Sequence, residues 1–305
     1  MTWDTRLQSL SGVKAFISTV VYSPCGQWLL SGSEDGTVKL WHADSGNCER
    51  THVAGVRSVA FSGDGESFTA GSLNGIIKVW NMENDKVETF RGHRYPAADD
   101  GNIDFPSFTA DGQWLASTSR SGTIKIWDTL TEDLEQNITD LDDFRRAMVS
   151  FDGQWIASGG FSVRLWEAKT GRLIKELEGD FENEPGHVQS LAFSDDGKLL
   201  AASFHYSIYV WDTTTHGLVW KNARCGSDIC SLSSSPDSQR LVSACSDHTI
   251  KVWDLPNGNE NMTDEHPSRY VELMASSTDG RLLAYSFRRR SRYTVYDLKI
   301  WDTAT

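Results

Sequence analysis

Residues 23–41 read SPCGQWLLSGSEDGTVKLW, and residues 109–127 read TADGQWLASTSRSGTIKIW in the same register. Each stretch opens with a tight turn and continues as two runs of apolar and small residues, of which the second ends in Trp. Gly suits such a turn because it accepts positive φ, and Asp suits it because its side chain hydrogen-bonds the local backbone. Two short runs joined by a turn indicate an antiparallel hairpin.

The turn recurs seven times, beginning at residues 23, 62, 109, 150, 194, 235 and 277, with spacings of 39 to 47 residues. A strand such as SVAFS (58–62) precedes the turn, and a segment such as RLIKELEG (172–179) follows the closing Trp. Four short strands in a period of about 40 residues are typical of a β-propeller blade. The closing residues of the repeats are Trp41, Trp80, Trp127, Trp166, Trp211, Trp253 and Trp301.

The two ends of the chain carry the same tripeptide, in MTWDTRLQSL and in LKIWDTAT. The segment TRLQSL (5–10) has the pattern of a fourth strand, while Trp301 is followed by few residues. We therefore predict an all-β, seven-bladed β-propeller in which residues 1–305 form one domain and the N-terminal strand completes the C-terminal blade. Such closure leaves no open sheet edge. Eight blades, or a slice of a longer array, are the alternatives.

The composition restricts the classes of partner. A net charge of −13, from 29 basic and 42 acidic residues, argues against general affinity for nucleic acid or anionic membranes. The five Cys match no disulfide or metal framework, no apolar run reaches transmembrane length, and no secretory signal is visible. We expect a monomeric ring in the cytoplasm, with no cofactor and no metal.

The register of the repeats resembles the WD-repeat β-propeller family across essentially the whole chain. The resemblance implies a hydrogen-bonded tetrad in each blade, made of a His before the first strand, a Ser or Thr on the second, an Asp in the next turn and the Trp. No repeat has all four members, so we expect apolar packing to carry more of the stability. The residues assigned structural roles in this way are Ser33, Asp35, Trp41, His93, Ser119, Trp127, His187, Ser203, Trp211, Asp247 and Trp253.

Four insertions interrupt the repeats, at residues 91–104, 177–187, 256–269 and 287–297. In the geometry of the family all four would lie on one face of the disc. Aromatic and Arg side chains are the usual energetic centres of protein interfaces, although surface loops also tolerate insertions without a function. The candidate contact residues are Tyr95, Asp99, Asp100, Phe181, Glu182, Glu184, Tyr206, Arg288, Arg289, Arg290, Arg292 and Tyr293.

These patterns predict a non-catalytic scaffold that binds a peptide or protein partner, since no phosphate loop, HExxH or Gly-x-Ser-x-Gly motif occurs. The phrases GHVQSLAFSDDGKLLAAS and SGTIKIWDT are similar to WD-repeat arrays of fungal NACHT-type, heterokaryon-incompatibility-related proteins, which implies ligand sensing or self-recognition. An adaptor subunit of a mitochondrial-fission-type assembly is one alternative. A propeller hydrolase or lyase, with carboxylates and His converging at the channel mouth, is another. Nucleic-acid binding through the Arg loop is disfavoured by the net charge.

Overall fold

The computed structural model describes residues 7–10, 15–72, 75–91, 107–108, 112–119, 123–131, 133–139, 146–179, 186–222, 226–235, 237–247, 249–265, 270–277, 282–289 and 295–302. These residues form 28 strands in seven four-stranded sheets, and neighbouring strands within each sheet are antiparallel.

Six of the seven sheets are each made from four consecutive strands. In chain order they are β2 Ile17–Tyr22, β3 Trp28–Ser33, β4 Thr37–His42 and β5 Cys48–Val53; β6 Val56–Phe61, β7 Ser67–Ser72, β8 Ile76–Asn81 and β9 Val87–Arg91; β10 Ser107–Phe108, β11 Trp114–Ser119, β12 Thr123–Asp128 and β13 Leu134–Thr139; β14 Arg146–Val149, β15 Trp155–Gly159, β16 Val163–Glu167 and β17 Arg172–Glu176; β18 Ser190–Phe193, β19 Leu199–Ser203, β20 Ile208–Asp212 and β21 Leu218–Asn222; β22 Ile229–Ser234, β23 Arg240–Cys245, β24 Thr249–Asp254 and β25 Glu260–Glu265.

The remaining sheet joins the two ends of the chain. Its strands are β26 Tyr270–Ser276, β27 Leu282–Arg289, β28 Val295–Asp302 and β1 Leu7–Leu10, in the order β1-β28-β27-β26. β1 pairs antiparallel with β28, so that Leu7 lies opposite Trp301 and Leu10 opposite Leu298. Leu10 is buried in one apolar cluster with Leu29 and Ile300, which couples this sheet to the first one.

The seven sheets differ in the length of their inner strands. In six sheets the inner strand has four to seven residues, whereas β10 in the third sheet has two, Ser107–Phe108. The sequence before β10 contains Pro106, which has no N–H to donate to a neighbouring strand. The third sheet therefore has an abbreviated inner strand among its described residues.

The inner strands of successive sheets contact one another around a closed circle, from β2 through β6, β10, β14, β18, β22 and β26 back to β2. The core lies between neighbouring sheets, because each sheet is covered on both sides. Trp41, Trp211 and Trp253 are among the largest fully buried side chains. Burial on both faces explains why apolar residues occupy both sides of the central strands.

The alternating strand direction gives the ring two distinct faces. We call the upper face the one that carries the turns between second and third strands and the connections between sheets. The lower face carries the turns between first and second strands and those between third and fourth. Within the described part of the chain there is no helix long and apolar enough to cross a membrane.

Candidate functional site

Upper-face loops of the fourth, fifth and sixth sheets are tied to one another by their backbones. The N–H of Val188, before β18, donates to the carbonyl oxygen of Gly160, in the turn after β15, over 2.8 Å. The N–H of Ile229 donates in the same way to the carbonyl oxygen of His205 over 2.7 Å. The described ends of these connections, at Val188 and Ile229, therefore lie against the turn of the preceding sheet.

Phe161 stands at the tip of the turn between β15 and β16, and 60% of its surface is exposed. Its ring packs on the ring of His187, with centroids 3.9 Å apart and planes tilted by 37°. His187 belongs to the connection that leads into the fifth sheet, so this contact crosses from one sheet to the next. A ring that is already held by a neighbouring side chain retains little conformational freedom. Binding of a partner therefore costs less entropy at this ring.

His205 and Tyr206 form the equivalent turn of the fifth sheet. Nδ1 of His205 donates to Oδ1 of Asp228, in the connection to the sixth sheet, over 2.8 Å. Tyr206 remains 46% exposed beside it, with ring centroids 5.8 Å apart. These contacts connect side chains of three successive sheets. We call this set of residues the upper-face strip: Phe161, His187, His205, Tyr206 and Asp228.

The indole of the fifth sheet has a different hydrogen-bond acceptor from the indole of the first sheet. In the first sheet, Nε1 of Trp41 donates to Oγ of Ser31 over 2.9 Å. The position corresponding to Ser31 in the fifth sheet is Ala202, since Leu200 is opposite Trp211 as Leu29 is opposite Trp41. Nε1 of Trp211 donates instead to the carbonyl oxygen of Glu178 over 2.8 Å. His187 and His205 make their ring contacts with neighbouring sheets.

The serines assigned from the family tetrad are not the ones that accept from Trp. In the first sheet the acceptor, Ser31, lies two residues before Ser33. In the third and sixth sheets the acceptor likewise lies two residues before Ser119 and before Cys245. Leu29, which is opposite Trp41, lies on the same side of β3 as both serines, and Ser31 is the nearer. The observed pairs are Trp41 with Ser31, Trp127 with Ser117, Trp166 with Ser158 and Trp253 with Ser243.

Asp35 and Asp247 hold the turns before the third strands of their sheets. Oδ1 of Asp247 accepts from the N–H of Thr249 over 3.1 Å and from its hydroxyl over 2.6 Å, and Asp35 binds Thr37 in the same way. Burial acts to raise the pKa of both carboxyls, but the hydrogen bonds from the Thr residues outweigh it and the pKa is lowered. Both side chains are therefore charged at neutral pH.

The other residues with predicted structural roles have varied positions. Ser203 is fully buried, and its hydroxyl makes no hydrogen bond to the residues that the structure describes. His187 lies on the upper-face strip. His93 is outside the described residues, and the side chain of Ser119 is likewise not described.

Of the predicted contact residues, Tyr206 lies exposed on the upper-face strip. Arg288 and Arg289 are the last residues of β27 and pair with Tyr296 and Val295, at the upper end of the seventh sheet. The remaining predicted contact residues lie outside the described part of the chain: Tyr95, Asp99, Asp100, Phe181, Glu182, Glu184, Arg290, Arg292 and Tyr293.

Sequence reasoning missed Phe161 and Asp228. A signal for Phe161 was present, since GGFSVRLW (159–166) has an aromatic residue in a shortened turn where the first repeat has SEDGTVKLW (33–41). Asp228 carried no such signal, because its partner His205 comes from another repeat.

A second concave region lies on the lower face between the fifth and sixth sheets. It is a cleft of about 560 Å³ lined by Asp195, Asp196, Asp212, Asp237 and Lys198, among others. Oδ1 of Asp196 and of Asp237 accept hydrogen bonds from Ser194 and Ser235 within their turns. Burial, followed by the charges of Asp196 and Asp237, raises the pKa of Asp195. Turn formation accounts for these carboxylates, and no group of three or more potential metal ligands was found among the described residues.

Comparison with known proteins places these features in a family. The family described as "WD domain, G-beta repeat" matches residues 4–42, 46–81, 84–128, 172–212 and 221–254, which together make up more than half of the chain. The chain is 25% identical over 265 residues to the "Periodic tryptophan protein 2 homolog" of Dictyostelium discoideum, covering 83% of this chain and 24% of that protein.

Two shorter matches are to proteins named as subunits. The chain is 26% identical over 133 residues to the "Target of rapamycin complex subunit LST8" of Saccharomyces cerevisiae, covering 42% of this chain and 43% of that protein. It is 26% identical over 156 residues to the "Guanine nucleotide-binding protein subunit beta" of Nicotiana plumbaginifolia, covering 48% and 40%. The matched segments span less than half of each of these relatives. By its repeats and its sheets, the chain belongs to the WD-repeat family.

Proposed function

We propose that the protein is a non-catalytic interaction module that binds a protein or peptide partner through the upper-face strip. The observation that carries this proposal is the pair of exposed rings, Phe161 and Tyr206, held in place by His187 and His205. Aromatic residues are enriched among the side chains that dominate binding energy at interfaces. A rigid presentation reduces the entropy lost when a partner binds.

The names of two relatives support a role within an assembly, because both describe a subunit. An adaptor subunit, including one in a mitochondrial-fission-type assembly, is a narrower form of the same proposal. The similarity to arrays of NACHT-type proteins remains a prediction from sequence, and none of the three relatives named above has such a name. Cys25, Cys48 and Cys245 form no disulfide, which supports a reducing compartment such as the cytoplasm.

The test compares affinity capture by three forms of the full chain, quantified by mass spectrometry. The first form is the natural protein, the second carries Phe161→Ala and Tyr206→Ala, and the third carries Phe151→Ala. Phe151 is a matched control because it lies in the same sheet as Phe161 and is 44% exposed, but occupies a turn on the lower face. We expect the double variant to lose partners that the control retains. Equal capture by all three forms would show that this strip is not the contact surface.

A further inference from the structure

Among the described loops of the upper-face strip, the charged side chains are acidic. In the described loops of this face in the fourth to sixth sheets, the Asp and Glu residues are Glu178, Asp228 and Asp247, and no Lys or Arg occurs. Glu178 pairs with Lys175 of β17, with nitrogen and oxygen 3.4 Å apart. Asp228 and Asp247, each with one carboxylate oxygen bonded to His205 and to Thr249 respectively, are the other carboxylates of these described loops.

Basic side chains on the adjoining strands are engaged elsewhere. Nε of Arg146, at the start of β14, donates to the carbonyl oxygen of Gln189 over 2.8 Å and so supports the loop that carries His187. Nζ of Lys251, on β24, lies 3.3 Å from a carboxylate oxygen of Glu260. Lys221 lies over the ring of Tyr209 at 4.7 Å. The local surface therefore combines two exposed aromatic rings with negative charge.

A guanidinium group matches both of these features. Its planar face stacks on aromatic rings and is attracted by their electron density, while its N–H groups donate to a carboxylate. A neutral apolar segment would use the rings and leave the carboxylates facing it without a partner. An acidic segment would be repelled, in keeping with the net charge of −13.

We propose that the upper-face strip binds an Arg-bearing segment of a partner protein, with the guanidinium on Phe161 or Tyr206 and paired with Asp228. This inference rests on the proposed function and names the chemistry of the partner. The Arg side chain would lie beside His205, whose ring contacts both Tyr206 and Asp228.

The probe is a short fluorescein-labelled peptide in which Arg alternates with Gly and Ser. The control peptide has citrulline, which has a neutral urea group in place of the guanidinium, at every Arg position. Binding to the full chain is measured by fluorescence anisotropy at physiological ionic strength. We expect the Arg peptide to bind about tenfold more tightly than the citrulline peptide, as the combined effect of stacking and ion pairing.

Variants locate the bound peptide. Phe161→Ala with Tyr206→Ala is expected to raise the Kd for the Arg peptide by about tenfold, and Asp228→Asn by about threefold. Phe151→Ala and Asp44→Asn, which remove an exposed ring and an exposed carboxylate from the lower face, are expected to leave the Kd unchanged. Circular dichroism and the Tm of each variant show that the fold is retained, since all these side chains are at the surface.

Equal binding of the two peptides would overturn the inference. So would equal weakening by Asp228→Asn and Asp44→Asn, because general negative charge would then explain the attraction. These results are separate from the capture test. If Phe161→Ala with Tyr206→Ala removes captured partners while the Arg peptide does not bind, the contact surface stands and the Arg-bearing partner is ruled out.

Discussion

Nε1 of Trp211, on β20, donates a 2.8 Å hydrogen bond to the carbonyl oxygen of Glu178, in the connection that leads from the fourth sheet to the fifth. Trp41, at the equivalent position of the first sheet, donates to Ser31 within its own sheet. The difference follows from Ala202, which stands at the position of Ser31 and offers no side-chain acceptor. In the fifth sheet the indole therefore stabilises a loop, and that loop carries His187 of the upper-face strip.

Trp211→Phe tests this link, because it retains an aromatic ring and removes the N–H. We expect a loss of about 1 to 2 kcal/mol in the free energy of unfolding, since the hydrogen bond between the buried indole and the carbonyl of Glu178 is lost. We also expect faster amide hydrogen exchange at Val188, whose N–H bonds to Gly160. Trp41→Phe is the matched control and should cost similar stability without changing exchange at Val188. Unchanged protection in both variants would contradict a loop-holding role for Trp211.

A second prediction distinguishes the two serines of β3. Ser31→Ala leaves the buried indole N–H of Trp41 without its acceptor and should destabilise the protein by about 1 to 3 kcal/mol. Ser33→Ala should cost less, because the hydroxyl of Ser33 bonds the N–H and the side chain of the exposed Asp35, and its loss leaves no buried indole N–H without an acceptor. Urea unfolding of the two variants measures the difference. A larger loss for Ser33→Ala would restore the assignment made from the sequence.

The strand pattern could be predicted from sequence because it repeats. The turns at residues 23 and 109 precede the same succession of strands. The pairing of β1 with β28 was predictable because residues 5–10 have the pattern of a fourth strand and few residues follow Trp301. The hydrogen-bond partners of Trp could not be assigned in this way. Ser31 and Ser33 lie on the same side of one strand, and the choice between them depends on the reach of the indole across the pair.

The upper-face strip was only partly predictable for a different reason. Tyr206 stood out as an exposed aromatic residue in a turn, and His187 as a residue of the family tetrad. Their actual contacts connect different repeats, such as His205 with Asp228 over 2.8 Å. A pattern that compares each repeat with the others describes what happens within a sheet, and it carries no information about which side chains meet between sheets.

Leu10 tests the closure of the ring. It is 4% exposed and lies in the cluster that joins the end sheet to the first sheet. Leu10→Ala should lower the free energy of unfolding by about 2 to 4 kcal/mol, through lost burial and the cavity that remains. Leu130→Ala is the same chemical change at a residue that is 83% exposed, and it should alter stability by less than about 0.5 kcal/mol. Similar unfolding midpoints for both variants would mean that β1 contributes little to the ring.

The lower-face cleft predicts opposite pH effects for two carboxylates. Burial, with the charges of Asp196 and Asp237, raises the pKa of Asp195, so its ionised form costs stability above that raised pKa. The cost disappears as pH falls through the folded pKa towards the unfolded one, because the native state then binds the proton. Asp195→Asn should therefore stabilise the protein at neutral pH, by about 0.5 kcal/mol since solvent screens a partly exposed charge. The gain should be absent below about pH 4.

Asp237→Asn is the control for this prediction and has the opposite sign. The hydroxyl of Ser235, followed by the N–H of Gln239, lowers the pKa of Asp237. Its charged form stabilises the native state above the unfolded pKa, and that contribution is lost as pH falls through the folded pKa. Asp237→Asn should therefore destabilise the protein at neutral pH and make little difference in acid. Thermal unfolding across a pH series measures both, and parallel pH profiles for the two variants would refute the electrostatic account of the cleft.

Gly186 controls the geometry of the upper-face strip. Its φ is +95°, a conformation that other residues rarely adopt, and a Cβ there would lie 2.7 Å from Nε2 of His205. Gly186→Ala should therefore displace His205, lengthen its contact with Asp228 and weaken binding of the Arg peptide. The His205 ring resonances in NMR spectra report the displacement directly. Gly217→Ala is the control, because the nearest atom to its added Cβ is Oγ1 of Thr215 at 3.5 Å, an ordinary contact. If Gly186→Ala leaves both the His205 resonances and peptide binding as they are in the natural protein, the close approach of Gly186 does not set the position of His205.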